Sequence, residues 1–202
     1  MNLQEQSGEN IRVAGVILAG GSASRMGQPK QLLIWQGEAL VRLAARTALN
    51  AGLSPVVVVT GARGDEVAAA VRDLPVQVVH NPLWAAGQST SVGAGINALP
   101  DDVNAALFLL ADQPFVSAGL IGGLIRAYSL SRPQILATYV GEKRTNPVLF
   151  DRSTFGELRQ LEGDVGARSI FSKIVPAAFP WPDARLLFDV DTPEDYQKLL
   201  QG

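Results

Sequence analysis

Seven short apolar runs set the strongest limit on how this chain can fold: "VAGVILA" (13–19), "PVVVVT" (55–60), "VQVVH" (76–80), "AALFLLA" (105–111), "QILATYV" (134–140), "NPVLF" (146–150) and "LLFDV" (186–190). Runs of that length without strict alternation suit strands buried on both faces, or nearly so. Helical patterns lie between them. In "EALVRLAARTALNAG", Leu40, Leu43, Ala44 and Thr47 share a face and Gly52 supplies the stop. Strand and helix in alternation predict an α/β fold with a mostly parallel central sheet covered by helices on both sides. Ligands of such sheets bind beyond the carboxyl ends of the strands, so the chemistry is sought where the apolar runs end.

Composition narrows the function classes. The chain has 202 residues, 47% of them hydrophobic, enough for one sizeable core. No internal repeat or linker divides it, so residues 12–202 are expected to form a single domain behind a loose polar tail, 1–11. Seventeen Lys and Arg against 19 Asp and Glu leave no basic field to hold nucleic acid. The absence of cysteine removes disulfides, thiolate nucleophiles and Cys-based zinc sites, and fits a cytoplasmic setting. "MNLQEQSGENIR" lacks the apolar core of a signal peptide, and no apolar run approaches the roughly 20 residues of a membrane span.

The first strand end carries Gly20, Gly21, Ser22, Ala23, Ser24, Arg25, Met26 and Gly27. Small residues there let backbone N–H groups approach an anion, the outline of a phosphate cradle. It is neither a Walker loop, since Gln-Pro-Lys follows Gly27, nor a G-x-G-x-x-G turn. A plain glycine turn is the competing reading. Arg25 and Lys30 favour the cradle, because a guanidinium fork and an ammonium point charge together neutralise a polyphosphate.

The second end is "LFLLADQP", where Asp112 closes a buried run. A carboxylate there must meet solvent, a cation or a donor; it reads as a turn aspartate before Pro114 or as a ligand for a hard cation such as Mg²⁺. The third end, "LLFDVDTPEDY", offers Asp189 and Asp191 on one face if the strand continues. Asp191 also reads as an N-cap before Pro193, which leaves Asp189 the freer of the two.

The stretches "LAGGSASRMGQPK", "ADQP", "NPVLF", "GDVGAR" and "DVDTPEDY" resemble those of the MobA-like nucleotidyltransferases, from about Ile11 to the end of the chain. Within that family the molybdenum cofactor cytidylyltransferases are the branch it most resembles. The resemblance implies a Rossmann-like three-layer sandwich of the nucleotide-diphospho-sugar transferase type. It also implies transfer of a nucleoside monophosphate to a phosphorylated acceptor, with Mg²⁺ as cofactor and release of pyrophosphate. By position, the nucleotide loop falls on Leu18, Ala19, Gly20, Gly21 and Ser22. Arg25 and Lys30 fall on the triphosphate, Asp112 on the metal, and Asp189 and Asp191 on a second polar cluster near it. "NPLWAAGQSTSV" borders the base and ribose, making Gly87, Gln88 and Ser89 nucleoside contacts, while "EKRTNPVLF" and "GDVGAR" face the acceptor. CTP over GTP, molybdopterin as acceptor and a molybdoenzyme as recipient of the product follow from the same likeness. A guanylyltransferase, an enzyme for another small phosphorylated acceptor, and a non-catalytic carrier are the alternatives.

The lone His80 reads as structural, at the end of "VQVVH". Trp35, Trp84 and Trp181 are too scattered for a nucleic-acid stacking platform, and Trp84 reads as core. Lys143 and Arg144 read as a solvated turn.

Overall fold

The computed structural model describes residues 11–21, 26–164 and 166–201. Most of the expected tail, together with Ser22 and Arg25, lies outside the described residues. Ile11 departs from that expectation, since it is packed against the core.

The elements in chain order are β1 (Val13–Ala19), a small hairpin of β2 (Ile34–Trp35) and β3 (Glu38–Ala39), α1 (Leu40–Asn50), β4 (Val56–Thr60), α2 (Gly64–Val71), β5 (Gln77–His80), α3 (Gln88–Asn97), β6 (Ala105–Leu110), α4 (Ala118–Ser131), β7 (Ile135–Val140), β8 (Lys143–Asp151), α5 (Phe155–Arg159), β9 (Ala177–Pro180) and α6 (Pro193–Gln201). Among the described residues the main sheet runs in the order β5-β4-β1-β6-β8-β7-β9. All its neighbours pair in parallel except β8, which runs against β6 and β7.

Alternation along β1 explains why both faces need cover. Val13 and Ile17 point to one side, where Val41, Ala45 and Ala48 of α1, Val67 and Val71 of α2, and Leu120, Ile121 and Leu124 of α4 close over them. Ala14 and Val16 point to the other, against Val92 and Ile96 of α3 and Phe155 and Leu158 of α5. The mostly parallel three-layer sandwich is thus the architecture. The buried face of α1 is rotated from the expected one: Leu43, Ala44 and Thr47 lie at its margin while Val41, Ala45 and Ala48 are fully buried. Gly52 follows the helix end with φ +83°.

One expected strand is absent among the described residues and one unexpected strand is present. "LLFDV" is no strand: Asp183 accepts a hydrogen bond from the Arg185 backbone N–H (3.0 Å) and starts a short 3-10 turn, Ala184–Leu187, after which the chain runs on extended. The outer position beside β7 belongs to β9 instead. Four residues ending in Pro180 give little periodic signal, and proline is tolerated there because β9 is an edge strand.

The fully buried Tyr128 joins α4 to the sheet by donating its hydroxyl proton to Asp151 Oδ2 (2.5 Å). Burial, then that carboxylate, pushes the phenol up to about 12. Tyr128→Phe is expected to lower stability by about 1–2 kcal/mol, the worth of a hydrogen bond to a charged acceptor. Urea unfolding at pH 7 measures it, with the slope of the transition unchanged.

Candidate functional site

Parallel pairing of β1 with β6, in the register Leu18 to Leu110, delivers their carboxyl ends side by side. The sheet order reverses here: β4 follows β1 on one side and β6 flanks it on the other, so a crevice opens where the two connections diverge. A cavity of about 550 Å³ occupies it, with Leu18, Ala19, Gly20 and Gly21 on one wall, Leu110 to Asp112 on the next, and Trp84 to Gln88 opposite. Lys30, Ser91 and Asp164 also reach it.

Lys30 opens a 3-10 turn, Lys30–Leu32, that follows the glycine loop. Its ammonium forms an ion pair and hydrogen bond with Asp191 Oδ1 and stands 3.8 Å from Asp112 Oδ2. The neighbouring Gln31 is buried and directs Nε2 toward the Gly21 carbonyl oxygen at 3.4 Å. Asp112 is drawn toward the last acidic segment by its own backbone, whose carbonyl accepts from Val190 N–H (3.0 Å). Gln113 Nε2 donates to Asp189 Oδ1 (2.7 Å), and its buried Oε1 has no partner among the described residues.

Both C-terminal aspartates have a partner, and Asp191 does not cap α6. Asp189 is the one engaged by Gln113, whereas Asp191 faces Lys30. The cap of α6 is Thr192: its N–H donates to Asp195 Oδ2 (3.1 Å) while Asp195 N–H donates to Thr192 Oγ1 (3.2 Å), a reciprocal box that leaves Asp191 free for the cation.

Burial pushes the Asp112 carboxyl up to about 6; Lys30 opposes the rise, and the charges of Asp189 and Asp191 add to it. Asp189, open to solvent on one side, is raised as well, by the protein packed around it and by Asp191, against the Gln113 hydrogen bond. Carboxylates pushed above their ordinary range by burial and mutual repulsion, with one ammonium already among them, suit a hard cation. Among the described residues no three such groups converge into a complete metal cage.

The segment expected to border the base and ribose is organised by Asn81, whose Nδ2 donates to Thr90 Oγ1 (2.8 Å) and Ser91 Oγ (3.0 Å) and whose Oδ1 accepts from Leu83 N–H (3.0 Å). Gly87 and Gln88 line the cavity; Ser89 does not, being buried with its hydroxyl donated to the Gly163 carbonyl (2.6 Å). Trp84, read as core, stands in the cavity wall. Its approach depends on Gly61, where a Cβ would lie 2.8 Å from Trp84 Cβ and overlap the Gly20 carbonyl oxygen. Gln31, Ser91 and Asp164 are polar lining residues that the sequence did not single out, although Ser91, like Trp84, lies in "NPLWAAGQSTSV" and Asp164 in "GDVGAR". His80 sits outside the cavity lining, its Nδ1 3.5 Å from Thr60 Oγ1. Lys143 and Arg144 are exposed as expected but open strand β8 rather than forming a turn, and the Arg144 guanidinium lies 4.2 Å from the Phe171 ring centre.

A MobA-like NTP transferase domain matches residues 15–178. Nicotine blue oxidoreductase of Paenarthrobacter nicotinovorans is 32% identical over 93% of this chain and 96% of its own. Purine catabolism protein PucB of Bacillus subtilis is 30% identical over 90% and 93%, and the molybdenum cofactor cytidylyltransferase of Escherichia coli 25% identical over 90% and 92%. The crystal structure of Rv0371c from Mycobacterium tuberculosis superposes with a TM-score of 0.84 at 26% identity, covering 95% of this chain and 99% of that one; its manganese complex superposes at 0.79 with 25% identity and the same coverage.

The strained carboxylate gives a stability prediction. With a folded pKa of about 6 above the ordinary 3.8, ionising Asp112 costs nothing below pH 3.8 and its full penalty above pH 6. Asp112→Asn is therefore expected to stabilise the ligand-free protein by about 1–2 kcal/mol at pH 8, a gain that vanishes by about pH 4. Chemical unfolding at the two pH values measures it. A domain match spanning most of the chain, and relatives at 30% identity or more along nearly their full length, decide the kinship: the chain belongs to the MobA-like NTP transferase family.

Proposed function

We propose that the protein transfers CMP from CTP to the terminal phosphate of molybdopterin cofactor and releases pyrophosphate. The observation that carries the nucleotidyl-transfer reading is the convergence on one crevice of a glycine turn, Lys30 and the half-buried Asp112. The cytidylyl and molybdopterin assignments rest on the likeness to the E. coli cytidylyltransferase along nearly its whole length.

The acceptor's phosphate oxygen is already ionised at neutral pH, so no general base is needed. That oxygen forms the new bond to the α-phosphorus as the bond to the β-bridging oxygen breaks and pyrophosphate leaves. Two polyanions must be aligned and their repulsion relieved. Backbone N–H groups of Gly20 and Gly21, beyond the strand end at Leu18 and Ala19, cradle the triphosphate, a role the sequence also gives to Ser22 and Arg25. Lys30 leaves its carboxylate partners for the phosphates when they arrive. Asp112 and Asp191 would hold Mg²⁺, with Asp189 steadied alongside by Gln113; the ion supplies charge neutralisation at the transferring phosphate. Gly87 and Gln88 border the nucleoside. Residues 12–202 act as one catalytic domain in the cytoplasm, and a molybdoenzyme receives the product. No helix among the described residues is long and apolar enough to cross a membrane.

The identity figures favour a second reading. Proteins named for nicotine blue oxidoreduction and purine catabolism resemble this chain more than the cytidylyltransferase does, at 32% and 30% against 25%. In that reading the cavity serves a reaction other than nucleotidylation of molybdenum cofactor. Wild-type protein supplied with each NTP, Mg²⁺ and molybdopterin would then release no pyrophosphate.

In the proposed reaction CTP exceeds GTP by at least about tenfold in kcat/KM, as a site that hydrogen-bonds one base edge rejects the other. Equal rates or a GTP preference would reassign the base. Asp112→Asn is expected to lower kcat by about 10²-fold or more at saturating Mg²⁺, and Lys30→Ala to weaken triphosphate binding with little change in melting temperature. Pyrophosphate release and calorimetric titration measure both, and turnover of the Asp112 variant within a few-fold of wild type rules out the metal role.

A further inference from the structure

We propose that Ser89 is a positioning residue that clasps the Gly163–Asp164 stretch onto the amino end of α3 and so holds one wall of the cavity in its binding shape. What the cavity binds rests on the nucleotidyltransferase reading above; the clasp itself rests on geometry.

The two segments are far apart in sequence and in direct contact in space. Ser89 is 2% exposed, and its hydroxyl donates to the Gly163 carbonyl at 2.6 Å. Gly163 takes φ +72°, a left-handed conformation that suits glycine in the turn carrying this carbonyl. On the other side Gly87 has φ +120°, and a Cβ there would lie 2.6 Å from the Gly163 carbonyl carbon and 2.8 Å from Asp164 Cα. The backbones therefore pack with no side chain between them. A Cβ on Gly166 would overlap Gln88 Oε1, so the Gln88 amide also lies against this stretch.

Among the described residues, the Ser89 bond is the one hydrogen bond joining the Gly87–Ser91 and Gly163–Gly166 segments. Gln88 and Asp164, the residues next to its two ends, both line the cavity. Ser89 thus sets the spacing of two lining residues without itself entering the lining. Removing its hydroxyl leaves the Gly163 carbonyl without its donor and van der Waals contact alone to hold the wall.

The test compares wild type, Ser89→Ala and Ser89→Thr. Amide hydrogen exchange at Thr90, whose N–H donates to the Gly87 carbonyl (3.3 Å) at the clasped end of α3, is expected to speed up about fivefold in the nucleotide-free Ala variant, the fold-change of one ordinary hydrogen bond. Dissociation constants and KM for CTP or GTP should rise about as much, with kcat within twofold and the melting temperature nearly unchanged. The Thr variant, keeping the hydroxyl, should restore exchange and affinity. Unchanged exchange in the Ala variant overturns the clasp, and faster exchange without weaker nucleotide binding overturns its role in the cavity. If wild type binds neither nucleotide, the nucleotidyltransferase reading fails, while the exchange comparison still decides the clasp.

Discussion

The parallel pairing of β1 with β6 is the constraint on which the rest of the molecule depends. Both strands are apolar through their length and buried on both faces, so they belong at the middle of the sheet, where burial is worth most. Their register leaves the glycine turn after Ala19 and the carboxylate at Asp112 as neighbours. Helices on both faces then close the core and leave the carboxyl edge as the place where polar side chains gather without interrupting packing.

At that edge the charges are arranged against stability. Asp112, Asp189 and Asp191 crowd one another, and Lys30 is the cation that the described residues set among them. Such an arrangement is hard to understand as scaffolding, because a buried carboxylate forced toward its neutral form weakens the fold at neutral pH. It is easily understood as preparation for polyanions with a counter-ion: the ammonium is already placed beside the ends of β1 and β6, and the carboxylates gain a partner when one arrives.

The opposite wall relies on backbone and neutral hydrogen bonds. Asn81 orders the start of α3 through Thr90, Ser91 and the Leu83 N–H, and Ser89 reaches across to the Gly163–Asp164 stretch. This side can differentiate ligands by shape and by hydrogen bonding, whereas the glycine turn and Lys30 offer what any triphosphate needs.

The sequence by itself determined the layered α/β architecture and the places where chemistry gathers. Continuous apolar runs such as "VAGVILA" and "AALFLLA" demand cover on both faces, and a polar residue that ends one, as Asp112 does, is conspicuous. Local periodicity carries no information about contacts between distant segments, and there the tertiary structure decided. "LLFDV" has the composition of a strand, yet the Asp183 cap turns it aside and β9 takes the place beside β7. The sequence offers Asp191 as the cap of α6 and Asp189 as the freer carboxylate, but the Thr192–Asp195 box takes the cap and Gln113 engages Asp189. Ser89 was legible as part of a nucleoside segment, but its partner is 74 residues away, and only folding brings the Gly163 carbonyl within reach of its hydroxyl.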